Sequence, residues 1–397
     1  MSVNAMNFEQ AAAVLNTLAE QATGTAQQAV VDLSTYISVG QKTLLTGYDP
    51  LAIGISQMVN RTIFAYRPYS GALSILDVDD DGFGAITRKV NAIQMPLEED
   101  GSYSLTDGDH DPDMFDVRKP KLYQTNYYGY DVWNDHVSIT RKQLKNAVTS
   151  PADMGRLIDL VLGTKANEME ISREAFRRAT LANMIAAVHA MNNPVQVRHL
   201  LTEYNTALGL STPLTVETVR QGENYPNFVR WAYAQIAKTS DLLRNPNGIY
   251  HLNPTEGTIL RHTPKADQRL YIYSGALREV DSTVLATTFN QGEVSKQLPT
   301  VTAAVDFFQS MDAPDSINIK PAYIGANGQV VASPAAQEVD NIFALLCDRD
   351  AMGTNFYDQS VEVSPFEAAG QYYNYWYHDA HRYWCDVTEN AVLFLMD

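Results

Sequence analysis

The sequence predicts an α+β chain in which long helices and long strands occupy separate stretches. Three features carry that reading. No proline interrupts the run between Pro151 and Pro194, long enough for one extended helix. Two strand-like stretches, 86–93 and 122–132, flank an acidic tip. The chain closes on a tyrosine-rich strand pattern, QYYNYWYHDAHRYWCDV, followed by the apolar run AVLFLMD.

Taken in order, the first element is an amphipathic helix in which Phe8, Ala11, Leu15, Leu18 and Ala22 recur at helical spacing and Gly24 is the stop. It has no core of its own, which makes it an arm awaiting a partner surface. A second helix is expected from about Val30 to Leu45, broken by Gly47, Asp49 and Pro50. A short helix (51–59) and a strand (62–69) follow.

From Gly71 to about Thr140 the chain makes a long excursion, with strands at 86–93 and 122–132. Its tip holds Glu98, Glu99, Asp100, Asp107, Asp109, Asp111, Asp113 and Asp116, with no Lys or Arg between Leu97 and Asp116. An isolated two-stranded hairpin is marginal in water, so this one must lie on another surface, within the molecule or on a neighbour.

Ser150, Pro151 and Asp153 then supply an N-cap, a first-turn proline and a capping-box acid. Met154, Ile158, Val161, Leu162, Met169, Phe176 and Ala179 form an apolar stripe, and Glu174 to Arg178 is an i,i+4 ion pair in the favourable direction. A helix from Pro151 to Val188 would be roughly 55 Å long. A third helix is expected from Asn227 to Leu243, stopped by NPNG. Next come a strand (269–274), a helix (276–288), two strands (317–324 and 341–347) and the two closing strands, joined by a turn at Thr388 to Asn390.

Composition bounds the function. At 397 residues and 45% hydrophobic content the chain can bury a large core. A net charge of −17 argues against a nucleic-acid-binding module, since such binding releases phosphate counterions with Lys and Arg. The N-terminus lacks a basic region leading into an apolar run, and no stretch reaches the roughly 18 apolar residues of a membrane span. Cys347 and Cys385 are too few for a disulfide framework and read as buried thiols. The expectation is a soluble cytoplasmic product without secretion signal or membrane. The 22 tyrosines suit surfaces that become interfaces, though ordinary sheet formation explains them as well.

Candidate chemistry is sparse. Asp77, Asp79, Asp81 and Gly82 open like a calcium loop, but the twelfth position is Arg88, a cation where a bidentate Glu belongs. Asp107, Asp109 and Asp111 repeat the spacing, with Arg118 at the twelfth position. His378, His381 and Cys385 have metal-ligand character, yet a strand would divide them between two faces. No phosphate-binding loop, nucleophile elbow or H-E-x-x-H motif occurs. No catalytic, cofactor or metal residue is expected.

The order of elements resembles the HK97-like major capsid proteins of tailed phages, whose parts are an N-arm, an extended E-loop hairpin, a long spine helix in a peripheral (P) domain, and an axial (A) domain. The ending QYYNYWYHDAHRYWCDVTENAVLFL is similar to the closing P-domain strands of short-tailed, small-genome relatives, including the Asn390-Ala391-Val392 core. The segment from Arg269 to Phe289 looks like their A-domain strand and helix.

The resemblance implies an N-arm (1–64), an E-loop (65–140), a P domain with the spine helix (141–222), an A domain (223–355) and C-terminal strands returning to the P domain (356–397). It implies a non-enzymatic protein that self-assembles, as hexamers and pentamers, into an icosahedral head around double-stranded DNA, without sequence-specific binding. The expected location is the virion, after assembly in the host cytoplasm. The absence of a bulky N-terminal scaffolding segment points to a separate scaffolding protein; a portal and a decoration protein are further expected partners. Inter-subunit contacts are expected at Phe8, Leu15, Leu18, Arg88, Lys89, Glu98, Glu99, Asp107, Asp109, Asp111, Arg118, Lys119 and Lys121. The alternatives are an encapsulin-like cellular compartment and, from a different class, a metal-dependent hydrolase.

Overall fold

A computed structural model describes residues 71–78, 87–95, 119–127, 129–149, 165–221, 224–276 and 301–397, with single positions at 12, 13, 15, 16, 36, 38–41, 52, 53, 97, 115, 157, 278 and 299. The strands are β1 (Thr87–Ala92), β2 (Leu122–Tyr127), β3 (Asp131–Thr140), β4 (Val197–His199), β5 (Gln268–Tyr273), β6 (Val301–Val305), β7 (Ile317–Ile319), β8 (Ala322–Ile324), β9 (Val330–Ala332), β10 (Gln337–Val339), β11 (Ile342–Asp348), β12 (Met352–Val363), β13 (Tyr372–Cys385) and β14 (Ala391–Leu395). The α-helices are α1 (Arg141–Thr149), α2 (Lys165–Ala190), α3 (Leu200–Leu208), α4 (Val216–Val219) and α5 (Asn224–Leu243). Helix and sheet are both abundant, as an α+β chain requires.

The chain divides into two compact units: residues 1–84, 129–176 and 355–382 in the first, and 85–128, 177–354 and 383–397 in the second. The first unit is built on a three-stranded sheet in the order β12-β13-β3. Its central strand alternates, with Tyr373, Tyr375 and Tyr377 at 2%, 0% and 2% exposure and the intervening residues half-buried. The period of two turns the tyrosine-rich run into one apolar face.

The second unit is built on a five-stranded mixed sheet in the order β4-β14-β11-β5-β6. Every residue of β14 is buried, as expected of a strand covered on both faces. Phe394, Val392, Leu346, Ala344, Ile272 and Leu270 pack with Phe228, Val229, Ala232, Ile236 and Leu243 of α5 and with Leu200, Leu201 and Tyr204 of α3 in one core. Each large apolar side chain so buried contributes about 1.5–3 kcal/mol.

Several expectations need correction. The strand expected at 122–132 is two strands that take different partners: β2 pairs with β1, and β3 pairs with β13. Gly129, at φ 90°, makes the break, a conformation open to glycine at no steric cost. The strand expected at 317–324 likewise splits into β7 and β8, because Pro321 cannot donate to a ladder. Residues 141–149, for which the sequence pattern predicts no element, form α1; Thr140 and Gln143 make its capping box, with each side chain meeting the other's backbone N–H.

The described helix α2 covers 26 residues, about 39 Å, and ends at Ala190 rather than Val188. Asn192, in the left-handed region at φ 47°, donates its N–H to the His189 carbonyl just beyond that end. Of the expected stretch 151–164, only Leu157 is described, and it is helical. The two closing strands part company. β13 joins the first unit's sheet, whereas β14 lies between β4 and β11 in the second unit's sheet. The expected strand 62–69 lies outside the described residues; the described positions of the expected helices 30–45, 51–59 and 276–288 are helical.

Phe394→Ala is expected to lower the unfolding free energy by about 3–5 kcal/mol, while the exposed Val330→Ala changes it by less than about 0.5 kcal/mol. Urea titrations of the two variants check this.

Candidate assembly surfaces

The excursion opens with β1 and β2 as an antiparallel pair, in register from Thr87 opposite Tyr127 to Ala92 opposite Leu122. One face of this hairpin lies on its own unit. Tyr123 and the neighbouring Ile93 pack with Ile259, the Tyr123 hydroxyl donates to the Gly325 carbonyl at 3.1 Å, and the Gln94 N–H donates to the Thr258 carbonyl. The opposite face is open, with Val90 at 55% and Leu122 at 60% exposure. Beyond the strands, Leu97 and Phe115 are 99% and 79% exposed. The expected need for a supporting surface is thus met within the chain for one face only.

Lys89, expected at a subunit boundary, instead reaches inward. Its Nζ lies 2.6 Å from Asp386 Oδ2 and also meets Glu389. Arg261 is 2.7 Å from Glu389 Oε1. The Tyr127 hydroxyl donates to Asp386 Oδ2 at 2.8 Å, while the Thr388 N–H and hydroxyl donate to Oδ1 at 2.9 and 2.6 Å. Both carboxylates are buried: Asp386 is 0% and Glu389 5% exposed.

Burial alone would raise the Asp386 carboxyl, but the Lys89 charge and the donors from Lys89, Thr388 and Tyr127 outweigh it and hold the group below the usual carboxylate range. Burial prevails at Glu389, which is pushed up although Lys89 and Arg261 pull against it. The arrangement is a polar attachment of the hairpin.

The other expected contact residues fall in three groups. Lys119 and Lys121 are exposed, and Arg88 lies in β1 opposite Asn126. Leu15 is fully buried. Phe8, Leu18, Glu98, Glu99, Asp107, Asp109, Asp111 and Arg118 lie outside the described residues. The sequence reading missed Val90, Leu97, Phe115 and Leu122 because it weighed the excursion by its charges. Apolar residues inside a polar projection were the available signal.

In the first unit, His381 stacks on Trp133 at 3.8 Å and meets the edge of Phe176 at 4.7 Å, which makes it an aromatic packing residue. Arg173 grips the buried Asp379 through two bonds of 2.8 and 2.9 Å and lies over the Phe356 ring. Burial raises the Asp379 carboxyl against the pull of Arg173. Cys347 and Cys385 are free and buried, and burial pushes the Cys385 thiol up to about 12, which leaves it unreactive. Among the described residues no three His, Cys, Asp or Glu side chains converge as a metal site. No described helix is long and apolar enough to cross a membrane.

This architecture is shared with chains in two solved phage structures. It is similar to a chain in the capsid structure of Staphylococcus phage Andhra, with TM-score 0.53, 11% identity and coverage of 81% of this chain and 83% of the other. It is also similar to a chain in the structure of the head fibre and inner core protein gp22 of bacteriophage P68, with TM-score 0.55, 12% identity and coverage of 83% and 85%. At this level of identity the likeness is one of fold. The family model of the Phi29-like phage major capsid protein matches residues 15–395, and the chain belongs to that family. It is a major capsid protein of a tailed phage, a component of the virion that forms a shell from many copies. No curated protein sequence matches it.

Lys89→Met leaves two buried carboxylates facing one arginine and is expected to cost about 3–5 kcal/mol in a denaturant titration. The carboxyl lowered by folding, Asp386, contributes stability above its unfolded pKa of about 3.9, lost as pH falls through the folded value. The raised Glu389 acts oppositely, contributing stability at low pH that is lost as pH rises through its folded value. Asp386→Asn should therefore flatten the loss of stability below about pH 4, measured as denaturation midpoint against pH.

Proposed function

We propose that this capsid protein builds an icosahedral head of hexamers and pentamers around a double-stranded DNA genome, and that the excursion hairpin contributes the principal contact with the neighbouring copy. The observation that carries the proposal is the hairpin's one-sided support. Its inner face lies on its own chain, while Val90, Leu97 and Leu122 stand in solvent in the single chain. Burial of such side chains on a neighbour, repeated at every contact, supplies a non-directional driving force. The acidic tip, including Glu98, Glu99, Asp107, Asp109 and Asp111, suits a basic surface on that neighbour, and the exposed Lys119 and Lys121 suit an acidic one.

The net charge of −17 favours a wall that contains DNA without adhering to it. On this reading residues 1–64 form the arm, 65–140 the E-loop, 141–222 the P domain, 223–355 the A domain and 356–397 the closing strands. Phe8, Leu15 and Leu18 belong to the arm and Arg88 and Arg118 to the E-loop. Assembly takes place in the host cytoplasm with a separate scaffolding protein and a portal, and the finished shell accepts a decoration protein. The protein acts by assembly and has no catalytic role. Membership of a phage capsid family sets the cellular-compartment reading aside.

Replacing residues 97–116 with a short Gly-Ser linker tests the hairpin's role. The expected outcome is soluble protein with unchanged circular dichroism and no closed particles by negative-stain electron microscopy. Particles of normal size and yield would remove the hairpin from the assembly contact.

A further inference from the structure

A second surface is organised differently. β8 and β9 form a two-stranded antiparallel sheet, and no described strand pairs with the outer edge of β9. The hairpin turns through Gly325 and Gly328, with the Gly325 N–H bonded to the Gln329 carbonyl and the Ser333 N–H to the Pro321 carbonyl. In an antiparallel ladder, bonded pairs alternate with unbonded ones. Since Gly325–Gln329 and Pro321–Ser333 are bonded, the Tyr323–Val331 pair is bonded too, and Val331 directs its N–H and C=O towards β8. Val330 and Ala332 direct theirs away from it. Their side chains are open as well, all three residues of β9 being exposed and Val330 reaching 73%.

The chemistry of this edge fits a second copy of the same chain. No charged residue occurs between Lys320 and Glu338, although the protein carries a net charge of −17. Copies of an acidic protein repel one another most where carboxylates face, and an uncharged edge avoids that cost. The usual protections of an edge, a lysine or an inward charge, are missing from β9.

The register is self-complementary. With Val331 on a two-fold axis, Val330 faces Ala332 of the second copy and Ala332 faces its Val330. Both residues present an outward N–H and C=O, so the two facing pairs make four backbone hydrogen bonds. We propose that β9 pairs antiparallel with β9 of another copy across a two-fold axis of the shell, centred on Val331. At three residues the edge is too short to hold two free chains together, and it acts once other contacts have gathered the copies. The inference rests on the chain meeting copies of itself in a shell, and does not depend on the excursion hairpin.

Cysteine crosslinking tests it. On the axis, position 331 is an unbonded pair with Cα atoms about 4.5 Å apart, within disulfide range. The two natural cysteines are buried and leave a quiet background. Val331→Cys, oxidised in assembled particles, should run mainly as a disulfide dimer on a non-reducing gel, while Gln329→Cys and Ser333→Cys stay monomeric. Absence of the dimer at 331, or equal dimer at all three positions, overturns the pairing.

Ala332→Pro removes one outward donor and leaves the bonds to β8 intact. It should cut particle yield at least ten-fold with an unchanged circular dichroism spectrum. Undiminished yield would also overturn the proposal. If Ala332→Pro misfolds, the crosslinking series decides alone. Wild-type particles scored in parallel by electron microscopy test the shell reading separately.

Discussion

Asp386 is the point on which the second unit depends. Its buried carboxylate receives Lys89, Tyr127 and two groups of Thr388, which together hold it below the usual carboxylate range against its burial. That single group does two structural jobs. It fastens the base of the excursion hairpin to the unit, and it shapes the turn that delivers the chain into β14. The next residues extend the arrangement. Glu389 takes Arg261, and Asn390 bonds His251 and Thr263, so the whole turn 386–390 is held by side chains distant in sequence.

β14 follows at once and lies between β4 and β11. A strand flanked on both sides and covered on both faces completes the sheet, and each of its neighbours comes earlier in the chain. The polar turn and the apolar strand are therefore one device. A fault in either exposes the core that α3 and α5 cover.

On the proposed reading, assembly draws on what this device leaves outside. The excursion hairpin is anchored by charge on one face and bare on the other, and β9 offers unpaired backbone instead of bare side chains. In the proposed contacts the first surface supplies burial and the second supplies register. A shell needs both, because burial alone does not specify angle, and four backbone bonds alone do not gather dilute subunits.

Much of this was legible in the residues. The tyrosine-rich run around 373, 375 and 377 announced β13, the apolar pattern of Phe228, Trp231 and Ile236 announced α5, and AVLFL announced an apolar final strand. The Thr140–Gln143 capping box is an equally local mark of the start of α1. Local periodicity and caps determine such elements, because they depend on neighbours in sequence.

Tertiary structure alone decided the partners. Nothing near Gly129 says that β2 pairs with β1 and β3 with β13, and nothing in the closing run says that β13 and β14 enter different sheets. Nor could the excursion's charges reveal that Lys89 turns inward to residues 297 and 300 positions away while Val90 turns out. Strand pairing and charge pairing at such separations are set by which surfaces bury most at once, a property of the whole chain that no local window contains.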